Sequence, residues 1–159
     1  MQGQPVSTRR FDSLEQEVFL NLWRTYDRLR MLEDELFGRY ELTAQQYNLL
    51  RLLRGVFPSG LPTLDLASRL ISRAPDITRM IDKLEDRGLV NRERPPDNRR
   101  VVLVALTDVG RELLSTLDQP VRDCHVRQLG HMEPDQMRQL IELLQESRRP
   151  HESAGSPWE

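Results

Sequence analysis

The stretch from Thr63 to Leu106 constrains the fold more than any other part of the chain. It reads as two short helical periods about four residues apart, a glycine stop, and two β-forming runs around the turn sequence Pro-Pro-Asp-Asn. In the first period, about residues 63–70, Leu64, Ala67 and Leu70 keep inward-facing helical spacing. In the second, about 75–87, Ile77, Ile81 and Leu84, flanked by Met80, form an apolar face. Pro75, Arg79, Asp82, Lys83 and Asp86 fall on its outward side. Pro75 suits the first helical position, Asp76 complements the helix dipole, and Gly88 stops the helix. Residues 89–94 and 101–106 read as strands, the second too rich in β-branched side chains for a good helix.

Two short helices joined by a tight turn, then a hairpin, make a winged helix-turn-helix, in which the second helix enters the major groove. Its N-terminal residues reach base edges, here Arg73, Pro75, Asp76, Thr78 and Arg79. Arg79 can donate two hydrogen bonds to guanine, and Thr78 can meet a phosphate or a thymine methyl. Lys83 lies one turn further along the same outward face. The hairpin tip, Arg-Pro-Pro-Asp-Asn-Arg-Arg, carries Arg99 and Arg100, which suit phosphates or a narrow minor groove. The chain totals a formal charge of -2, which taken alone argues against nucleic-acid binding. Distribution reverses that: from Arg69 to Arg100 nine basic residues face six acidic ones. Asp82, Glu85 and Asp86 confine base contact to the first two turns of the helix.

The flanking sequence is helical. Asp12 and Glu15 resemble a capping box opening a helix over about 12–38. Thr43 and Gln46 form a second box opening a helix over about 43–55, followed by a loop through Val-Phe-Pro-Ser-Gly-Leu-Pro. Thr107 and Asp108 cap a helix over about 108–128, with a kink or break expected near Gln119 before Pro120. Pro134 starts a last helix. The first helix and the last two carry more apolar surface than a small winged module can bury. Leu14, Val18, Leu113, Leu117, Leu140 and Leu144 therefore form a candidate dimer interface. A two-fold pair would present two recognition helices to a palindromic site with half-sites about 10 bp apart.

The division expected is a mainly α domain over 11–149 between unstructured tails at 1–10 and 150–159. Its DNA-binding lobe spans about 43–106, and its dimerisation helices about 12–38 and 108–148. No apolar run approaches the ~20 residues of a membrane span, and the N-terminus lacks a secretory apolar region. A cytoplasmic location is the default expectation. The single cysteine, Cys124, forms no intrachain disulfide. His125 and His131 are not spaced as a one-face pair, so these three residues are assigned no metal or redox role. No catalytic, phosphate-loop or zinc-protease motif is present. The expectation is a non-enzyme without cofactor; a winged-helix protein-interaction adaptor that binds no DNA is the alternative.

The segment Asp-Ile-Thr-Arg-Met-Ile-Asp-Lys-Leu-Glu-Asp-Arg-Gly-Leu-Val-Asn-Arg-Glu-Arg-Pro-Pro-Asp-Asn-Arg-Arg resembles the MarR family of transcription regulators. The matching features are Thr78-Arg79, Leu84-Glu85, Arg87-Gly88-Leu89-Val90, Arg92, Asp97-x-Arg99 and Leu106-Thr107-x-x-Gly110, and the layout fits over about 12–147. The resemblance implies a dimeric winged helix-turn-helix regulator, most often a repressor released by a small ligand. It implies that Asp97 orients a tip arginine and that Arg99 enters the minor groove. It also implies an effector pocket between the dimer helices and the DNA-binding lobe. Trp23, Tyr26 and Tyr47 are candidates to line it, with Arg30 and Arg51 as anion partners for a small aromatic or anionic effector.

Overall fold

The computed structural model describes residues 10–158; the expected N-terminal tail lies almost wholly outside them. Helix α1 spans Leu14–Gly38, α2 Ala44–Arg54, strand β1 Gly60–Pro62, α3 Thr63–Arg69, α4 Ile77–Asp86, β2 Val90–Glu93, β3 Leu103–Leu106, α5 Asp108–Leu129 and α6 Pro134–Arg148. A 3-10 turn, Arg149–His151, follows. The sheet is antiparallel in the order β1-β3-β2, with Leu61 opposite Val104 and Arg92 opposite the same residue on the other side. β1 belongs to the segment expected to be a loop. Its three residues include a proline, which an edge strand tolerates because its N–H side faces away from the ladder.

The core lies where α2, α3, α4, the sheet and the first half of α5 converge. Leu49, Leu50 and Leu53 of α2, Leu66 of α3, Ile81 and Leu84 of α4, Val104 of β3 and Leu114 and Leu117 of α5 are fully buried there. The inward face of α3 differs from the expected one: Leu66 and Leu70 are buried, whereas Leu64 is 83% exposed. A helix of seven residues has under two full turns, so its periodicity fixes its buried face poorly.

Capping sets most boundaries. In α2, Thr43 Oγ1 accepts from Gln46 N while Gln46 Oε1 accepts from Thr43 N, closing the expected box. In α1 the cap is Ser13, one residue beyond the expected Asp12: Ser13 Oγ accepts from Gln16 N, and Gln16 Oε1 accepts from Asp12 N. Helix α4 starts at Ile77, not Pro75, with Asp76 as its cap residue and no side-chain cap bond. The Asp76 carboxylate instead leans toward Arg79, 3.9 Å away. Helix α5 continues through Pro120, so of the kink or break expected there the break does not occur. Leu114 and Leu117 before the proline and Cys124 after it are all buried, and that packing offsets the roughly 3 kcal/mol a mid-helix proline costs. The C-terminal segment, expected to be unstructured, continues beyond its 3-10 turn; Ser156 Oγ donates to Glu152 Oε2, and Trp158 shares a cavity wall with Ile141 and Leu144.

Candidate nucleic-acid interface

Helix α4 ends in a Schellman turn: Gly88 N donates to the Glu85 carbonyl and Leu89 N to the Leu84 carbonyl, with Gly88 at φ +70°. That turn delivers the chain directly into β2. Thr107, at the far end of β3, closes the unit. Its hydroxyl donates to the Gly88 carbonyl at 2.6 Å and accepts from Gly110 N at 3.0 Å, so one side chain ties the α4 stop to the start of α5. Gly110 is required for this closeness, because a Cβ there would lie 2.3 Å from the Leu89 carbonyl oxygen. Arg87 donates to the Glu41 and Tyr40 carbonyls, fastening the end of α4 to the α1–α2 connection. Gln45 Nε2 donates to Ser72 Oγ at 2.8 Å, fastening the helix-turn-helix turn to the start of α2.

Arg92 joins the wing to α4. Its backbone N donates to Glu85 Oε1, and its guanidinium donates to Glu85 Oε2, Asp82 Oδ1 and the Thr78 carbonyl. Burial works against its charge, but the hydrogen bonds and charges of Asp82 and Glu85 outweigh it and raise the guanidinium's pKa above its ordinary value. Two of the acidic residues that seemed to repel DNA therefore have an internal partner. The wing tip is braced separately. Arg94 Nη1 donates to the Arg99 carbonyl at 2.8 Å, and Asn98 Oδ1 accepts from Arg100 N at 3.2 Å. Asp97, expected to orient an arginine there, makes no hydrogen bond or ion pair among the described residues. Arg94 and Asn98 hold the tip instead, leaving the Arg99 guanidinium outside any ion pair among those residues.

The nine expected DNA-contacting residues, Arg73, Pro75, Asp76, Thr78, Arg79, Lys83, Asp97, Arg99 and Arg100, are all exposed. Arg79 keeps 73% of its side chain in solvent, and its contact with Asp76 is long.

A second feature lies between α1, α2, α5 and the helix-turn-helix turn. It is a cavity of about 490 Å³, lined by Tyr26, Tyr47 and Arg51 among the expected pocket residues. Trp23 and Arg30 stand outside this lining. Trp23 is exposed and packs edge-on to Phe19, and Arg30 pairs with Asp34 along the surface of α1. The Tyr47 ring stacks on Phe37 with centroids 4.5 Å apart. Burial pushes the Tyr47 hydroxyl's pKa up, against the opposing pull of Arg54 and Arg51. Glu33 and His125 also line the cavity. Neither was legible in the sequence as a pocket residue, because their approach depends on the packing of α1 against α5. Gln128 Nε2 donates to the Leu29 carbonyl, so its Oε1 must accept, which makes His125 Nδ1 the donor to it at 2.9 Å. His125 Nε2 is then the ring's remaining polar atom. Cys124 is buried, which raises its thiol pKa, with Glu33 adding to the effect. Among the described residues no group of three or more His, Cys, Asp or Glu converges as a metal site, and no helix is long and apolar enough to cross a membrane.

The apolar residues expected at a dimer interface divide into two sets. Leu117 is fully buried within its own chain, and Leu113 packs against the same core, so α5 spends this face internally. Leu14 and Val18 on α1 are exposed, and Leu140 and Leu144 on α6 are only half-buried. Phe37 is the single buried residue of α1, and α6 has none.

Two short helices, a three-stranded wing and exposed arginines on both define a winged helix-turn-helix protein. The MarR family model matches residues 42–102, from the start of α2 through the wing tip and ending just before β3. A MarR transcription factor from Planctomyces limnophilus is 61% identical, over 85% of this chain and 98% of that one, with a TM-score of 0.68. The homoprotocatechuate degradative operon repressor of Escherichia coli is 30% identical over 68% of this chain and 72% of its own length. A mutant MarR from Escherichia coli, solved in complex with operator DNA, is 25% identical over 85% of this chain and 98% of that one, with a TM-score of 0.74. The chain belongs to the MarR family and is a DNA-binding transcription regulator.

Proposed function

We propose that the protein is a homodimeric, cytoplasmic repressor that lays two α4 helices and two wings along a palindromic operator and is released by a small ligand. The observation that carries this reading is Arg92, which fixes the wing along α4 through Thr78, Asp82 and Glu85, so that Arg79 and Arg99 belong to one reading unit. Arg73, Pro75, Asp76, Thr78 and Arg79 meet base edges and adjacent phosphates, Lys83 and Arg100 meet phosphates, and Arg99 enters the flanking minor groove. The exposed apolar stripes of α1 and α6 support the homodimer. Repression and the operator are supported by the repressor and the operator-bound relative above. The effector reading rests on the cavity walled by Tyr26, Tyr47 and Arg51, which touches both the dimerisation helices and the helix-turn-helix turn.

Selection of bound duplexes from a random pool by the purified full-length protein, then titration of the selected duplex at several salt concentrations, tests the DNA-binding part. Enrichment of a palindrome with steep salt dependence is expected. An adaptor without DNA binding would enrich no sequence.

A further inference from the structure

We infer that Gln45, at the start of α2, is a positioning residue for base reading: its amide holds the turn between α3 and α4 and so sets where Arg73 and the first turn of α4 meet the groove. This rests on the reading of α4 as the groove helix. Gln45 Nε2 donates to Ser72 Oγ at 2.8 Å and, more weakly, to the Arg73 carbonyl at 3.5 Å. A carbonyl oxygen only accepts, so the nitrogen end of the amide is the one that faces the turn.

Little else fixes that turn. Among the described residues, no backbone–backbone hydrogen bond engages residues 71–75, and no other side chain bonds to them. Pro75 has no N–H to offer, and the Asp76 side chain does not cap α4. Leu70 is buried and Ala74 packs against the core, whereas Ile71, Ser72 and Arg73 between them are exposed. The two apolar anchors fix the ends of the segment, and the Gln45 amide fixes its middle. Arg92 holds the first turn of α4 from the wing, through the Thr78 carbonyl. Gln45 and Ser72 are both exposed, and a neutral hydrogen bond exchanged with water contributes only modestly to stability. Base-edge contacts, by contrast, carry the specificity and need the reading side chains in register. Loss of the tie therefore touches recognition before it touches folding.

The test compares Gln45→Met, which keeps the length of the side chain and removes its donor, with the wild-type full chain on the selected duplex and on an unrelated duplex of equal length. Affinity for the selected duplex should fall about five-fold or more. Affinity for the unrelated duplex, set by phosphate contacts, should stay within about two-fold, and the melting temperature should be unchanged. Ser72→Ala should reproduce part of the loss, and Gln45→Met should cost less in the Ser72→Ala background than in the wild type. Ser72→Thr, which keeps the hydroxyl, should bind as the wild type does. Equal losses on both duplexes, additive effects of Gln45→Met and Ser72→Ala, or an unaltered affinity for the selected duplex overturns the inference. Additivity would mean that Gln45 touches the DNA itself. Failure of the groove-helix reading is seen separately, as wild-type binding to both duplexes with equal affinity.

Discussion

Arg79 and Arg92 both belong to the α4–wing unit, yet their surroundings are opposite. Arg79 projects into solvent with one long contact, whereas Arg92 is spent on Glu85, Asp82 and the Thr78 carbonyl. Sequence reasoning separates them in part, since helical spacing puts Arg79 on the outward face. It gives no means of pairing Arg92 with acids seven and ten residues earlier, because that pairing requires the Schellman turn at Gly88 to fold β2 back along α4. The same blindness affects the wing tip, where Asp97 was expected to position an arginine and Arg94 and Asn98 do so instead. Replacing Arg79 with Ala should cost about 1–3 kcal/mol on the selected duplex and relax preference at one base pair per half-site. Mobility shifts on a set of single-base variants of that duplex measure both effects, and an unchanged ranking removes Arg79 from the base-reading set.

At the scale of elements, strong local signals were legible and weak ones were not. The Thr43–Gln46 box and the Gly88 stop each have a local chemical cause, and both are present. β1 is three residues long and exists because β3 offers it an edge, a long-range cause with no local trace. The unbroken α5 is the reverse case, in which tertiary packing overrides a clear proline signal. Two predictions belong here. Gly110→Ala drives a methyl into the Leu89 carbonyl and should destabilise the fold by about 1–3 kcal/mol, read as a lower urea midpoint. Arg92→Met should uncouple wing from helix, so that Arg99→Ala weakens binding in the wild-type background but costs little in the Arg92→Met background. A double-mutant cycle on duplex affinity should give a coupling of about 0.5–3 kcal/mol. Simple additivity would mean that the two arginines act independently.

For the whole molecule, the division of apolar surface was legible in kind but not in address. The sequence indicates surplus apolar area on the first helix and the last two; α1 and α6 leave part of theirs exposed, whereas α5 turns Leu113 and Leu117 to its own core. Leu113 and Leu117 were assigned to the same surplus because a helical period cannot say which of two packed faces turns inward. Leu14, at 70% exposure, and Ile141, at 54%, are the better handles on self-association. Leu14→Glu combined with Ile141→Glu should shift the protein to a monomer in sedimentation at micromolar concentration. Operator affinity should then fall about a hundred-fold or more, as the second half-site is no longer bound intramolecularly. A variant that stays dimeric would place the interface elsewhere.

In the proposed reading a paired molecule reads two major grooves with α4 and the flanking minor grooves with Arg99. Hydroxyl-radical footprinting of the selected duplex tests this most directly. The expected pattern is two protected blocks related by a dyad, with centres about 10 bp apart, and outer minor-groove protections that disappear in Arg99→Ala. A single unpaired block, or outer protections that persist in the variant, would contradict it.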